Sequence, residues 1–118
     1  MRYAIYQSLH VFAALGLVAA LAAVGALRPS TEPGLRRLAM MLHGAGLVLL
    51  LISGFGMLAV LGLSSAPPGW VWAKIALWLL LAVAVALPRW APGRRAWLIW
   101  LAPVGAGLAG LLAILRPF

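Results

Sequence analysis

Four apolar runs divide this sequence, and each is close to the roughly 20 residues that a helix needs to cross a bilayer. The runs are residues 3–27, 38–63, 70–87 and 96–115. The breaks between them are short and rich in proline, glycine and serine, which form turns. Because short loops force neighbouring helices to run antiparallel, the sequence predicts an all-α fold. The expected architecture is an integral membrane four-helix bundle with antiparallel neighbours and short loops, in which residues 1–118 form a single transmembrane domain.

The composition also indicates a membrane protein. Apolar residues make up 66% of the chain and charged residues 8%, which a water-soluble domain of this length does not show. The lipid bilayer is therefore an expected partner. In a membrane protein the net charge of +8 sets orientation and attracts anionic headgroups, so nucleic-acid binding is not expected. Cysteine is absent, which excludes disulfides, thiolate metal sites and cysteine nucleophiles.

The basic residues predict an orientation. Six arginines flank the first and third breaks, whereas the opposite face has three basic residues. The six are Arg28, Arg36, Arg37, Arg89, Arg94 and Arg95, and the three are Arg2, Lys74 and Arg116. Because Lys and Arg are in excess in cytoplasmic loops, the first and third loops are expected in the cytoplasm, with both termini outside. Tryptophans that fit the aromatic belts at the two interfaces are Trp70, Trp72, Trp90 and Trp97.

A polar stripe is predicted on the outer half of the first helix. Tyr3, Tyr6, Gln7 and His10 recur there at helical spacing, and Lys74 on the third helix is expected at a similar depth. These five residues predict a small polar pocket near the outer face. The alternative is that they are interfacial residues, with His10 hydrogen-bonded to a neighbour and Lys74 reaching out to the headgroups.

Both histidines of the chain, His10 and His43, are also candidate ligands of haem or another tetrapyrrole. One iron held by two histidines requires ring nitrogens about 4 Å apart. Antiparallel helices place His10 and His43 at depths that differ by roughly 10 to 15 Å. A single chain is therefore not expected to hold one iron between them, and ligation across a symmetric dimer is the alternative. No other metal site is indicated.

Small residues predict packing faces on the second and fourth helices, since they let another helix approach closely. The residues on these faces are Gly44, Gly46, Ser53, Gly54, Gly56, Gly105, Gly107 and Gly110. Pro103 predicts a bend in the fourth helix. Four helices of this size bury limited area, so a homo-oligomer or a subunit of a larger membrane complex is expected.

Short motifs on three of the helices form one pattern. They are Leu9-His10-Val11 with Ala13 and Arg28, His43 with Leu49-Leu50 and Ser53-Gly54, and Trp70 with Lys74. This pattern resembles the SirB family of small four-helix proteins of the bacterial inner membrane, and more weakly CopD-like membrane modules. The resemblance implies a multi-pass inner-membrane protein whose biochemical activity is poorly defined. Two positions depart from the family pattern, since Gln7 stands in place of a lysine and Gly46-Leu47 in place of an acidic residue.

Three functions follow from these features. The first, which the sequence favours, is a structural or accessory module that packs against itself or a larger membrane complex. The second is a haem or other tetrapyrrole-binding protein that uses His10, His43 or both. The third is a small transporter component with a site at Gln7, His10 and Lys74. Enzyme activity is not expected, because the apolar runs contain no carboxylate, no cysteine and no serine placed beside a plausible base.

Overall fold

The computed structural model describes residues 2–27 and 33–116 of the chain. Five α-helices and one 3-10 helix occur in these ranges. They are α1 (Arg2–Ala26), α2 (Pro33–Val60), α3 (Gly69–Ala84), α4 (Leu87–Trp90), the 3-10 helix Pro92–Trp97 and α5 (Leu98–Leu115). No strand occurs in the described ranges, and the predicted all-α class is confirmed.

Three helical segments among the described residues are long and apolar enough to cross a membrane. They are Arg2–Ala26, Pro33–Val60 and Pro92–Leu115. The remaining long helix, α3, is apolar but has 16 residues. At a rise of about 1.5 Å per residue it extends about 24 Å, which is less than the roughly 30 Å of a hydrocarbon core. These helices are compatible with a membrane helical bundle.

A glycine ends α2 before its apolar run is complete. Gly62 has a φ of 73°, a left-handed conformation that glycine adopts without steric cost. The Leu63 N–H donates to the Leu58 carbonyl at 2.9 Å, and the Gly62 N–H donates to the Ala59 carbonyl at 3.1 Å. This pair of hydrogen bonds is the Schellman motif. The helix therefore ends at Val60, although the run of apolar residues continues to Leu63.

The third predicted break is helical rather than an open loop. It contains α4 and most of the 3-10 helix. Pro88 and Pro92 lie in the first turns of these two elements, where a missing N–H leaves no helical hydrogen bond unmade. The two prolines therefore begin short helices instead of excluding them. Of the first predicted break, residues 28–32, which include Arg28 and Glu32, lie outside the described residues, and residues 33–37 form the first turn of α2.

Helix α1 lies at the centre of the packing. It packs most extensively on α2 and also on α5, and α5 packs on α3. The buried side chains of α1 are spaced mostly three or four residues apart on one face, and they are Ala13, Leu17, Ala20, Leu21 and Val24. The other helices contribute Ala39, Leu81, Leu98 and Ala102 to the same core. This arrangement positions one face of α1, which includes His10, against α2.

Trp70 belongs to a second, smaller buried cluster. It is 8% exposed and packs with Leu58 and Val71. In contrast, Trp72 is 58% and Trp90 is 71% exposed. The ring of Trp70 is therefore packed against other parts of the chain, whereas Trp72 and Trp90 lie on its surface.

Candidate functional site

His10 contacts α2 through a hydrogen bond with a buried serine. Its Nδ1 lies 2.9 Å from Ser53 Oγ, and Ser53 Oγ lies 2.6 Å from the Leu49 carbonyl oxygen. The hydroxyl has a single proton, which it donates to this carbonyl. His10 Nδ1–H therefore donates to Ser53 Oγ. In this neutral form of the imidazole, Nε2 holds the lone pair.

The sequence-based expectation that no serine lies beside a plausible base is wrong, because Ser53 and His10 are hydrogen-bonded. The pair is nevertheless not arranged for nucleophilic catalysis. In a catalytic triad the serine hydroxyl donates to the histidine and a carboxylate orients the imidazole. Here the hydroxyl donates to the backbone, and Ser53 is 1% exposed. The single acidic side chain of the sequence is Glu32, so the described residues contain no carboxylate side chain to orient His10.

Close packing of α1 on α2 depends on two glycines next to Ser53. A Cβ at Gly54 would lie 3.4 Å from His10 Cε1. A Cβ at Gly56 would lie 2.5 Å from the ring of Tyr6, which is closer than van der Waals contact permits. The rings of Tyr6 and His10 therefore pack against the backbone of α2. Gly54 and Gly56 therefore lie at a contact between α1 and α2 within the chain.

The five residues of the predicted polar pocket are divided between different surfaces. Tyr6 and His10 face α2, whereas Lys74 lies beside Trp70 on α3. Tyr3 is half-buried. Gln7 is exposed and lines a shallow apolar depression on the outside of α1 together with Phe12. Gln7 therefore lies apart from the other polar groups.

Two cations converge on the ring of Trp70. Lys74 Nζ lies 6.0 Å from the ring centroid, and Arg116 Cζ lies 5.3 Å from it. Cations at these distances are attracted by the negative face of an indole ring. The sequence predicts only an orienting role for Arg116. Its proximity to Lys74 depends on how α5 packs on α3, which hydropathy does not reveal.

His43 joins α2 to α3 and is 4% exposed. Its Nε2–H donates to the Leu81 carbonyl oxygen at 3.1 Å. Leu81 lies in the last turn of α3, where carbonyl groups lack donors from their own helix. In an apolar environment such a carbonyl needs a partner. His43 therefore satisfies a polar group at the end of α3.

Trp78 makes a second contact between the same two helices. Its indole Nε1–H donates to the Leu47 carbonyl oxygen at 3.1 Å. Hydropathy and helical spacing predict no such contact for Trp78. The available signal was an indole N–H within an apolar run, since a buried tryptophan usually finds an acceptor. Trp78 and His43 thus form two side-chain to backbone hydrogen bonds that connect α2 and α3.

His10 and His43 contact different parts of the bundle. His10 is hydrogen-bonded to Ser53 on α2. His43 is also on α2, and it lies about 15 Å from Ser53 along the helix axis, at about 1.5 Å per residue. The two imidazoles therefore do not meet at one iron within a single chain. The Nε2–H of His43 is bonded to the backbone, whereas Nε2 of His10 is not used in the bond to Ser53.

The predicted glycine faces separate into internal and outward-facing positions. A Cβ at Gly46 would lie 3.3 Å from the Ala13 carbonyl oxygen, and a Cβ at Gly105 would lie 3.1 Å from Leu81 Cδ2. The other predicted glycines have open space around them. These are Gly44, Gly107 and Gly110, at which a Cβ would meet no atom within 4 Å.

Replacing His43 by leucine is expected to destabilise the protein by about 1 to 2 kcal/mol, because the Leu81 carbonyl loses its donor in an apolar environment. His43→Gln is the matched variant, since a glutamine amide retains an N–H donor. Thermal unfolding in detergent measures the effect. A His43→Leu protein that melts at or above the wild-type temperature would contradict a stabilising role for this bond.

No family model, curated protein or solved structure matches this chain. The resemblance to SirB-like and CopD-like proteins therefore stays a prediction.

Proposed function

We propose that this chain is a structural or accessory membrane module that packs against a second copy of itself through α5. The observation that supports this proposal is the uncovered glycine face of α5. Gly107 and Gly110 have no atom within 4 Å of an added Cβ. Pro103 and Ile114 are exposed at matching helical spacing. Together these four residues define the α5 glycine face.

Small residues favour association of helices in a bilayer because they let two backbones approach closely. Gly46 and Gly105 already pack against other helices of the same chain. The glycines of the α5 glycine face remain open to a second helix. A two-fold axis along the membrane normal would bring the same face of two copies together.

We further propose four membrane spans with antiparallel neighbours. The order of contacts supports opposite chain directions for α2 and α3, since His43 pairs with Leu81 and Leu47 pairs with Trp78. The six arginines near the first and third breaks support an orientation with both termini outside. The SirB-like motifs support a location in the bacterial inner membrane.

Leucine at Gly107 is expected to abolish self-association without unfolding the chain. The larger side chain obstructs close approach of a second helix, whereas leucine is a better helix former than glycine. Analysis by light scattering of the purified protein in detergent should give two copies per particle for the wild type and one for Gly107→Leu.

Gly44→Leu is the matched control, because Gly44 is exposed and also has open space around it, but on α2. This variant should remain dimeric. A wild-type protein that is monomeric both in detergent and in native membranes would contradict the proposal. If the wild-type protein is found only in complexes with other proteins, the chain is a subunit of a larger complex and the proposed self-association is wrong.

Tetrapyrrole binding at His10 is a second candidate, and a specific hydrogen bond favours it. Histidine ligands usually donate one ring N–H to an outer partner while the other nitrogen binds the metal. His10 has such an outer partner in Ser53, and its Nε2 is not used in that bond. An absorption spectrum tests this function: a Soret band lost in His10→Ala and retained in His43→Ala supports it. A colourless wild type after incubation with haem would contradict it.

A further inference from the structure

An apolar groove runs between α3 and α5. Its volume is about 260 Å³. It is lined by Ala73, Leu77, Leu108, Leu111, Leu112 and Leu115. From Leu108 to Leu115 the groove follows α5 for about 10 Å, at about 1.5 Å per residue. A surface of this kind is complementary to a hydrocarbon chain rather than to a polar solute.

Two cations lie at one end of this groove. Lys74 follows the lining residue Ala73 in sequence, and Arg116 follows the lining residue Leu115. Both charged groups lie within 6.0 Å of the centroid of the same Trp70 ring. The groove therefore combines an apolar wall with a positively charged end.

The two charges lack an acidic side chain to pair with among the described residues, because the one acidic side chain of the sequence is Glu32. Lys74 and Arg116 lie beside the same Trp70 ring, where they repel each other as like charges. An anion placed between them would relieve this repulsion. Guanidinium and ammonium groups both bind phosphate, the first through two parallel hydrogen bonds and the second as a compact charge.

We infer that the groove between α3 and α5 binds a phospholipid with an anionic headgroup. Its phosphate lies between Lys74 and Arg116, and one acyl chain lies along the leucines of the groove. Trp70 forms the floor beneath the headgroup, consistent with the preference of indole rings for the boundary between apolar and polar regions. Each basic residue near such a headgroup strengthens binding by about fivefold.

Lipid binding to the purified full-length chain tests this inference. The protein in a neutral detergent is incubated with phosphatidylglycerol, with phosphatidylcholine or with inorganic phosphate, and the bound molecules are counted by native mass spectrometry. We expect retention of phosphatidylglycerol in preference to phosphatidylcholine, and no retention of phosphate alone. Equal retention of the two lipids, or binding of phosphate as strong as that of the lipid, would overturn the inference.

Variants separate the contributions of the charges and the groove. Lys74→Gln and Arg116→Gln should each weaken phosphatidylglycerol binding about fivefold, and the double variant about thirtyfold. Arg89→Gln is the matched control, because it removes an exposed cation outside the groove. Ala73→Leu retains both charges but fills the groove, and should also reduce lipid retention. Binding that falls as much in Arg89→Gln as in Arg116→Gln, or that is unchanged in Ala73→Leu, would contradict a site with this geometry.

Discussion

Leucine at Gly46 is expected to force α1 away from α2 and to destabilise the protein by about 3 kcal/mol. A Cβ at this position would already lie 3.3 Å from both the Ala13 carbonyl oxygen and Leu17 Cβ. The remaining carbons of leucine have no space at this contact. Because α1 is central to the packing, the displacement should also weaken the hydrogen bond between His10 and Ser53.

Thermal unfolding in detergent measures this effect, with Gly44→Leu as the matched control. Both substitutions add the same side chain to α2, but Gly44 faces open space. Gly46→Leu should lower the melting temperature by on the order of 10 °C, whereas Gly44→Leu should leave it nearly unchanged. Equal melting temperatures for the two variants would show that α1 does not approach α2 at Gly46.

Alanine at Gly25 is expected to destabilise the protein by about 2 kcal/mol, although it adds only one methyl group. A Cβ at Gly25 would lie 2.7 Å from the Arg95 carbonyl oxygen and 2.9 Å from Leu98 Cβ. The first of these atoms belongs to the backbone, so rotation of a side chain cannot remove the clash. The 3-10 helix and the beginning of α5 would have to move away from α1.

Gly16→Ala is the matched control for this substitution, because it makes the same change on the same helix. The nearest atom to a Cβ at Gly16 is Leu42 Cδ1 at 3.7 Å, which is an ordinary contact. Chemical denaturation should give a lower free energy of unfolding for Gly25→Ala and an unchanged or higher one for Gly16→Ala, since alanine favours helix. A Gly25→Ala protein as stable as Gly16→Ala would be inconsistent with the packing of α1 against the 3-10 helix.

Hydropathy predicted the long helices because the length and composition of a span follow from the bilayer itself. It did not predict the end of α2 at Val60, which depends on the left-handed conformation of Gly62. It also did not predict helical structure around Pro88 and Pro92, because proline both interrupts helices and begins them. The backbone conformations of glycine and proline therefore account for the differences between the predicted and observed helix ends.

The candidate site was predictable to the extent that single helices determine it. The spacing of Tyr6 and His10 on α1 placed them on one face, and both pack on α2. Contacts between separate helices were not predictable from spacing. The bond between His10 and Ser53 and the close approach at Gly25 each depend on which faces meet, and one apolar face does not specify its partner.

Disulfide cross-linking in native membranes tests the proposed self-association most directly. The natural chain has no cysteine, so each variant contains a single one. Gly107→Cys and Ile114→Cys, on the α5 glycine face, should form cross-linked dimers. Leu108→Cys, which lies in the groove, and Val48→Cys, on the exposed side of α2, should remain monomeric. Equal cross-linking at all four positions, or none at Gly107 and Ile114, would contradict a dimer formed through α5.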